Sequence, residues 1–441
     1  MEQQLTTGKI GRSLILFSLP MILGNLLQQL YNVADTLIVG QTIGATALAA
    51  VGSSYALMVL LTSIILGLCM GSSVVFAQLY GSKKINDLKT SIFNSFVFIL
   101  IISIIINIFA FALLDRFIIW LNIPSQAIAL TRTYLKIIFI GITFVSIYNF
   151  FASVLRSIGN TVVPLTFLGV SALTNILLDL ILILVFHLGV AGAALATVIS
   201  QGLSAICITI YFFKKSKNVC PDKKHIHFNR KLLKLIINNS TLTAIQQSIM
   251  NLGILMVQGL VNSFGFATSA AFAAVVKIDA FAYMPAQDFG NAFSTFVAQN
   301  YGAKKSKRIK DGTFIAIIIS SLFCLCSSAL VYIFAKPLML MFVNPGELEI
   351  INIGIQYLHI EGIFYIGIGI LFLLYGVFRG LGKSGISILL TVISLGSRVL
   401  LAYVLSSIST IGVIGIWWSV PIGWALADII GLLIYKNSFN L

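Results

Sequence analysis

Apolar positions dominate the chain in long runs, broken by short polar segments. Each run has about 20 or more residues, the length that a helix needs to cross the ~30 Å hydrocarbon core of a membrane. The pattern predicts an all-α integral membrane protein with twelve transmembrane helices. These spans, numbered in chain order, are expected at 12 to 39, 48 to 77, 90 to 114, 128 to 151, 162 to 186, 190 to 213, 233 to 263, 268 to 298, 312 to 335, 351 to 376, 384 to 407 and 412 to 435.

The chain also repeats itself at half its length. A motif near residue 80 recurs 221 residues later, and two turns recur at an offset of 223. Each copy holds six spans, so the copies are parallel repeats related by an axis along the membrane normal, a common plan in transporters. We predict an N-terminal lobe at 1–213, a basic linker at 214–232 and a C-terminal lobe at 233–441. The repeated motif residues are Ala77, Gln78, Tyr80, Gly81, Lys83, Lys84 and Lys89, matching Ala298, Gln299, Tyr301, Gly302, Lys304, Lys305 and Lys310.

Composition and charge agree with this topology. Residues are 59% hydrophobic and only 9% charged, with a mean hydropathy of +1.03, which no soluble domain of this size could bury. With the N-terminus inside, 22 of the 28 Lys and Arg residues fall on the cytoplasmic face. We therefore expect a multi-pass protein of the bacterial inner (plasma) membrane with both termini cytoplasmic. The net charge of +15 then reflects topology, so no nucleic-acid partner is expected.

One apparent nucleotide motif is excluded. Gly382, Lys383 and Ser384 resemble the end of a phosphate-binding loop, but Val377 stands where that loop needs its first glycine. The loop also needs a strand that feeds a helix, which a transmembrane helix does not supply. We expect no organic cofactor, so uphill transport would draw on an ion gradient.

Ionisable groups inside spans mark ion or substrate sites, because they are costly in hydrocarbon. Asp35 in span 1, Asp179 in span 5 and Thr197 in span 6 all fall in the outer third of the bilayer. Asn175 lies four residues before Asp179, on the same helix face. Two carboxylates, an amide oxygen and a hydroxyl at one level predict a site for a hard monovalent cation.

Two explanations of these carboxylates stay open at this point. Ionised neighbouring carboxylates repel each other, so the pair could either carry a proton or hold Na+. Alternatively, Asp179 hydrogen-bonds neighbouring helices and Asp35 faces water.

Three sets of motifs are typical of one transporter family. They are F-S-L-P-M-I-L-G-N-L-L-Q-Q-L-Y-N-V-A-D-T-L-I-V-G at 17 to 40, A-Q-x-Y-G-x-K-K closing spans 2 and 8, and the turns R-S-I-G-N and R-G-L-G-K. On these motifs the chain resembles the multidrug and toxic compound extrusion (MATE) family over essentially its whole length. The resemblance implies two six-helix lobes around a V-shaped cavity, and export of organic cations in antiport with Na+ or H+.

The resemblance also assigns roles. In the branch that couples through its N-terminal lobe, the cation site is an Asp on span 1, an Asn-x-x-x-Asp pair on span 5 and a Thr on span 6. Pro20 matches a span 1 proline implicated in bending that helix; a static kink is the alternative. In this chain the site residues are Asp35, Asn175, Asp179 and Thr197.

The C-terminal lobe matches the family's other coupling pattern less well. Span 7 carries no acidic residue, whereas Glu361 and His359 lie on span 10. We expect Glu361 to form a buried structural ion pair with Arg398 on span 11; the alternative is that Glu361 takes part in coupling through the C-terminal lobe. Asp288 on span 8 either attracts cationic substrate or makes a hydrogen bond across the lobe. The candidate cavity residues are Gln28, Gln29, Tyr31, Asn149, Gln246, Gln247, Asn251 and Asp288.

The sequence thus predicts a monomeric, lipid-embedded efflux carrier for hydrophobic cationic small molecules, and not an enzyme. A flippase of lipid-linked substrates in the same superfamily would need a basic cavity, but the first-half spans contain Asp and almost no basic residues. A membrane enzyme of lipid metabolism would need clustered catalytic groups, and the four His residues are scattered. A channel or receptor would not need the duplicated plan.

Overall fold

The computed structural model describes residues 4–120, 123 and 125–439, and this part of the chain contains helices but no strands. Helices suit a membrane because each satisfies its own backbone hydrogen bonds. The spans are Ile10–Thr42, Ala45–Gly81, Ile85–Ala112, Ile128–Ser157, Val162–Leu180 with a π-helical turn Ile181–Val185, Gly189–Lys215, Arg230–Asn262, Phe266–Gly302, Ser306–Ile333, Leu348–Gly362 with Tyr365–Gly380, Ser384–Ser406 and Val413–Phe439. Short helices at Leu114–Trp120, Ser125–Ala127, Lys223–His225 and Ala335–Leu340 lie between them.

The prediction of twelve spans is confirmed. Eleven helices in the described part are long and apolar enough to cross a membrane alone. Span 10 is two helices, Leu348–Gly362 and Tyr365–Gly380, joined at a bend of 53°. Counted as one crossing, the bent pair completes the twelve.

The repeat is visible in the backbone as well as in the residues. Lys83 and Lys304, which close spans 2 and 8, both have positive φ angles, 60° and 57°. A positive φ is rare for residues other than glycine, so two matched lysines with it indicate the same turn built twice. Three glycine pairs behave alike: Gly44 and Gly265, Gly159 and Gly382, and Gly189 and Gly412.

The described chain forms two compact units, each built mainly from one of the two repeats. Unit 1 comprises Leu19–Ala244 together with Gln4, and unit 2 comprises Leu5–Ser18 and the chain from Ile245 onward. The predicted linker at 214–232 therefore packs as part of unit 1. Residues 10–18 of span 1 belong to unit 2, and residues 230–244 of span 7 belong to unit 1. The end residues 1–3 and 440–441 of the predicted lobes lie outside the described residues.

Glycines allow span 7 to pack closely against span 2 within unit 1. A Cβ on Gly71 would lie 2.4 Å from the carbonyl oxygen of Asn239, and one on Gly67 would lie 2.4 Å from Cα of Ala244. The hydroxyls of Ser72 and Ser240 hydrogen-bond at 2.8 Å in the same contact. Small residues let membrane helices approach backbone to backbone.

Candidate cation site

Asp35 is a half-buried carboxyl near the C-terminal end of span 1. The helix runs without interruption from Ile10 to Thr42 and includes Pro20, fifteen residues before Asp35. The Oδ1 atom of Asp35 is buried and has no hydrogen-bond partner. Since the helix supplies no donor there, this oxygen is available to a ligand.

Asn175 and Asp179 project from span 5 one helical turn apart, and both residues are buried, with exposures of 2% and 0%. Asp179 is the second-last residue of the α-helix, which continues as the π-helical turn Ile181–Val185. π turns are rare and are frequently found at functional sites. The turn widens span 5 directly after the carboxylate.

Thr197 of span 6 completes the group. The amide of Asn175 donates to Thr197 Oγ1 at 3.4 Å, and the hydroxyl of Thr197 donates to the carbonyl of Ala193 at 3.1 Å. The carboxyl groups of Asp35 and Asp179 lie close enough to interact electrostatically. All four residues that sequence analysis selected therefore meet in unit 1.

This cluster has a surplus of oxygen acceptors. Asn175 Oδ1 and both carboxyl oxygens of Asp179 are buried without a hydrogen-bond partner, as is Asp35 Oδ1. Buried polar atoms in folded proteins are nearly always paired, so four orphaned oxygens in one place need a cation or a proton. Among the described residues no three His, Cys, Asp or Glu side chains converge as a metal site. Two carboxyls with neutral oxygens suit a monovalent ion.

Two tyrosines extend the cluster beyond the predicted residues. Tyr134 of span 4 is 8% exposed and lies within electrostatic range of both carboxyls. Tyr31, predicted as a cavity residue, lies within electrostatic range of Asp35. Sequence analysis missed Tyr134 because a tyrosine in an apolar helix carries no signal of its own.

The other predicted cavity residues occupy varied environments. In unit 1, Gln28 is exposed, Gln29 is half-buried, and the Asn149 amide donates to the carbonyl of Val145 at 2.9 Å. In unit 2 the residues concerned are Gln246, Gln247, Asn251 and Asp288.

Gln246 is 1% exposed and donates to Thr391 Oγ1 at 3.1 Å, which joins spans 7 and 11. Gln247 and Asn251 are half-buried, and Asp288 is buried. Within unit 2, therefore, the amide nitrogen of Gln246 already has a protein partner.

A second buried polar group lies in unit 2, and it is not the ion pair expected from sequence. Glu361 and Arg398 make no direct ion pair; Glu361 Oε2 and Arg398 Nε have no hydrogen-bond partner. The hydroxyls of Tyr357 and Tyr365 instead donate to Asp279, the former at 2.8 Å. The bend in span 10 separates the two tyrosines and brings both to Asp279, a contact that residue spacing alone did not reveal.

Comparison with known proteins places the chain in a family. A model of the MatE family matches residues 20–181 and 243–404, two stretches at the offset of the internal repeat. "Probable multidrug resistance protein YpnP" of Bacillus subtilis (strain 168) is 31% identical over 393 residues, 88% of this chain and 86% of that protein. "Probable multidrug resistance protein NorM" of Thermotoga maritima is 27% identical over 93% of this chain and 88% of its own length.

Solved structures share the fold. A MOP superfamily transporter from Pyrococcus furiosus superposes with a TM-score of 0.94 at 23% identity, covering 100% of this chain and 98% of that chain. An outward-facing multidrug resistance MATE family transporter gives a TM-score of 0.93 at 23% identity, with the same coverage. Both have the all-helical architecture found here. The chain therefore belongs to the MatE family and is a multi-pass membrane transporter.

Proposed function

We propose that this transporter exports hydrophobic organic cations in antiport with Na+ or H+, and that the coupling cation binds at Asp35, Asn175, Asp179 and Thr197. The observation that carries the proposal is the set of four buried oxygens without partners in that cluster. A bound cation stabilises such a site strongly, because it satisfies the unpaired acceptors and offsets the charge of the two carboxyls. When the cation leaves, this stabilisation is lost.

The same geometry supports a coupling mechanism. With the cation absent, the ionised carboxyls of Asp35 and Asp179 repel each other. Na+ would be held by their oxygens with the amide oxygen of Asn175 and the hydroxyl of Thr197; a proton would instead be shared between the carboxyls. Either one removes the repulsion and lets spans 1, 5 and 6 pack together. Pro20 lacks a backbone N–H, so span 1 can bend there as this packing changes.

Several observations bear on the substrate. Relatives of this chain include proteins named for multidrug resistance and, in Staphylococcus aureus, "Multidrug export protein MepA", 26% identical over 73% of this chain. Broad export fits an apolar, adaptable binding surface with few fixed hydrogen bonds. These names do not favour the flippase alternative. We further propose that the protein acts as a monomer in the inner membrane with both termini in the cytoplasm.

The test is dye efflux by the purified protein in liposomes, with Na+ and pH gradients imposed one at a time. We expect a cationic dye to move against its gradient when one of the two gradients is present and to stop when that gradient is collapsed by an ionophore. Dependence on neither gradient contradicts antiport. Efflux that continues with both gradients collapsed also contradicts it.

A further inference from the structure

Span 1 is one continuous helix whose two ends belong to different compact units. Residues 10–18 pack with unit 2, whereas the remainder, which carries Asp35, packs with unit 1. A change at Asp35 is transmitted along such a helix only if its inner end is held fast. The contacts of that inner end therefore bear on coupling.

The chain just before span 1 is tied to unit 2 by an unusual set of hydrogen bonds. Residues 5–8, here called the N-terminal strap, form a turn ahead of span 1. All four carbonyls accept hydrogen bonds from side chains of spans 8 and 9 and of the turn between them. The bonds are Asn300 to Leu5 at 3.2 Å, Lys305 to Thr6 at 2.8 Å, and Arg308 to Leu5, Thr7 and Gly8 at 3.2, 2.7 and 2.8 Å.

Arg308 is the centre of this arrangement. Its Nε and both terminal nitrogens each bind a different strap carbonyl, so one rigid guanidinium sets the conformation of three residues. Its Cζ lies 5.6 Å from the ring centre of Phe296, and this cation–π contact helps to hold the Arg308 guanidinium in place. Leu5 is fully buried and anchors the strap from the other side.

Span 7 has a corresponding anchor, built from different residues. Residues 222–229, here called the linker strap, precede span 7 and dock on span 3 within unit 1. Lys89 Nζ binds Asp222 Oδ2 at 2.9 Å, His225 Nε2 lies 3.2 Å from Asn86 Oδ1, and the rings of Phe93 and Phe228 are 5.7 Å apart. Spans 3 and 9 are equivalent in the two repeats. In each repeat, the segment before the opening helix is therefore held on span 3 or span 9, although the side chains that hold it differ. We infer that both opening helices need a fixed starting point.

We propose that Arg308 is a positioning residue for coupling: by holding the N-terminal strap on span 9 it fixes the inner end of span 1 to unit 2. The inference rests on the proposed antiport, since it concerns how occupancy of the Asp35 site is passed on. Arg308 does not touch the cation. Without the hydrogen bonds from Arg308, the inner end of span 1 is free to move relative to span 9, and cation binding no longer drives efflux.

The test compares Arg308→Gln with Lys307→Gln, which removes the same charge from the adjacent, exposed position. Dye efflux is measured in liposomes under the gradient that drives the unaltered protein. Binding of that cation is measured calorimetrically on detergent-purified protein. We expect Arg308→Gln to lower efflux about tenfold while cation affinity stays within about twofold, and Lys307→Gln to change neither. Arg308→Lys, which keeps the charge and can reach one carbonyl, should restore part of the efflux.

A second variant disrupts the contact between the N-terminal strap and Arg308 from the side of the strap. Leu5→Asn removes the buried anchor, and the double variant with Arg308→Gln should lose no more efflux than the worse single variant, because both act through one contact. Full efflux in Arg308→Gln, a parallel loss of cation affinity, or losses that multiply in the double variant would each overturn the proposal. If efflux by the unaltered protein ignores both gradients, the proposed antiport itself fails, a result distinct from any variant effect.

Discussion

At the scale of single residues, the cation site combines groups that stand out in sequence with groups that do not. Asp35 and Asp179 are recognisable because carboxyls are expensive inside apolar helices. Tyr134 of the cation site was not recognised, because tyrosine is unremarkable in an apolar span. In unit 2, Asp279 was not selected from the sequence either, and its partners Tyr357 and Tyr365 become apparent only in the fold. Ionisable residues inside apolar helices can be recognised from the sequence. The residues they contact cannot, because those contacts depend on which helices pack together.

The first prediction concerns the two carboxyls. Asp35→Asn and Asp179→Asn should each lower cation-driven efflux about tenfold or more, because an amide can neither carry the proton nor supply the charge that holds Na+. The control is Asp115→Asn, which changes an exposed carboxylate paired with Arg132 at 2.7 Å and should leave efflux unchanged. Efflux is measured in liposomes at equal protein density. Full activity in either site variant would contradict the assignment.

At the scale of helices, sequence predicted the spans well but not how they end or bend. Run lengths identify all twelve crossings because the bilayer sets a minimum length. The π-helical turn after Asp179 and the 53° bend in span 10 have no such signature. Both depend on the helices packed around them, so they become visible only in the fold.

Close packing of spans 2 and 7 gives a second prediction. Gly71→Ala should lower the melting temperature of the purified protein, with a cost of about 1 to 3 kcal/mol, because the new Cβ meets backbone atoms that cannot move aside. Gly52→Ala lies in the same helix with open space around it, so better helix propensity should keep or raise the melting temperature. Equal melting temperatures for the two variants would show that the helices do not approach this closely.

The linker strap predicts a pH dependence. His225 Nδ1 accepts from the backbone N–H of Asp222 at 3.3 Å while Nε2 faces Asn86, an arrangement that suits the neutral ring. Burial lowers the pKa of His225, as do Lys89 and Lys224, against the opposing charge of Asp222. Lys89 lowers the pKa of Asp222, so Asp222 stays ionised in this range. Neutral His225 makes its full contribution to the stability of the folded strap above the pKa of an unfolded histidine, about 6.5. That contribution is lost as the pH falls through the lower pKa of His225 in the folded protein.

Hydrogen exchange of residues 222–229, corrected for intrinsic rates, measures this effect. Protection should fall between about pH 8 and about pH 5.5. His225→Gln should remove the pH dependence, whereas His227→Gln, at the exposed neighbouring histidine, should keep it. Protection that is equal at both pH values in the unaltered protein would contradict the expected opening.

At the scale of the whole molecule, topology gives the fourth prediction. In a variant lacking the five native cysteines, a cysteine introduced as Lys217→Cys should react with a membrane-impermeant maleimide only in inside-out vesicles. Ser407→Cys, in the turn between spans 11 and 12, should react in intact cells. Both positions are exposed, so accessibility depends on the side of the membrane. Labelling of both from one side would refute the twelve-span topology.

The division of span 1 and span 7 between units also bears on how such a chain arises. Each repeat contributes the first part of its opening helix to the compact unit formed mainly by the other repeat. A chain with one repeat alone would lack the segment that completes its own unit. Two identical six-span chains could supply that segment to each other, as in a domain-swapped dimer. Gene duplication followed by fusion through residues 214–232 would preserve this exchange within one polypeptide, which implies that halves separated at the linker must associate in order to fold.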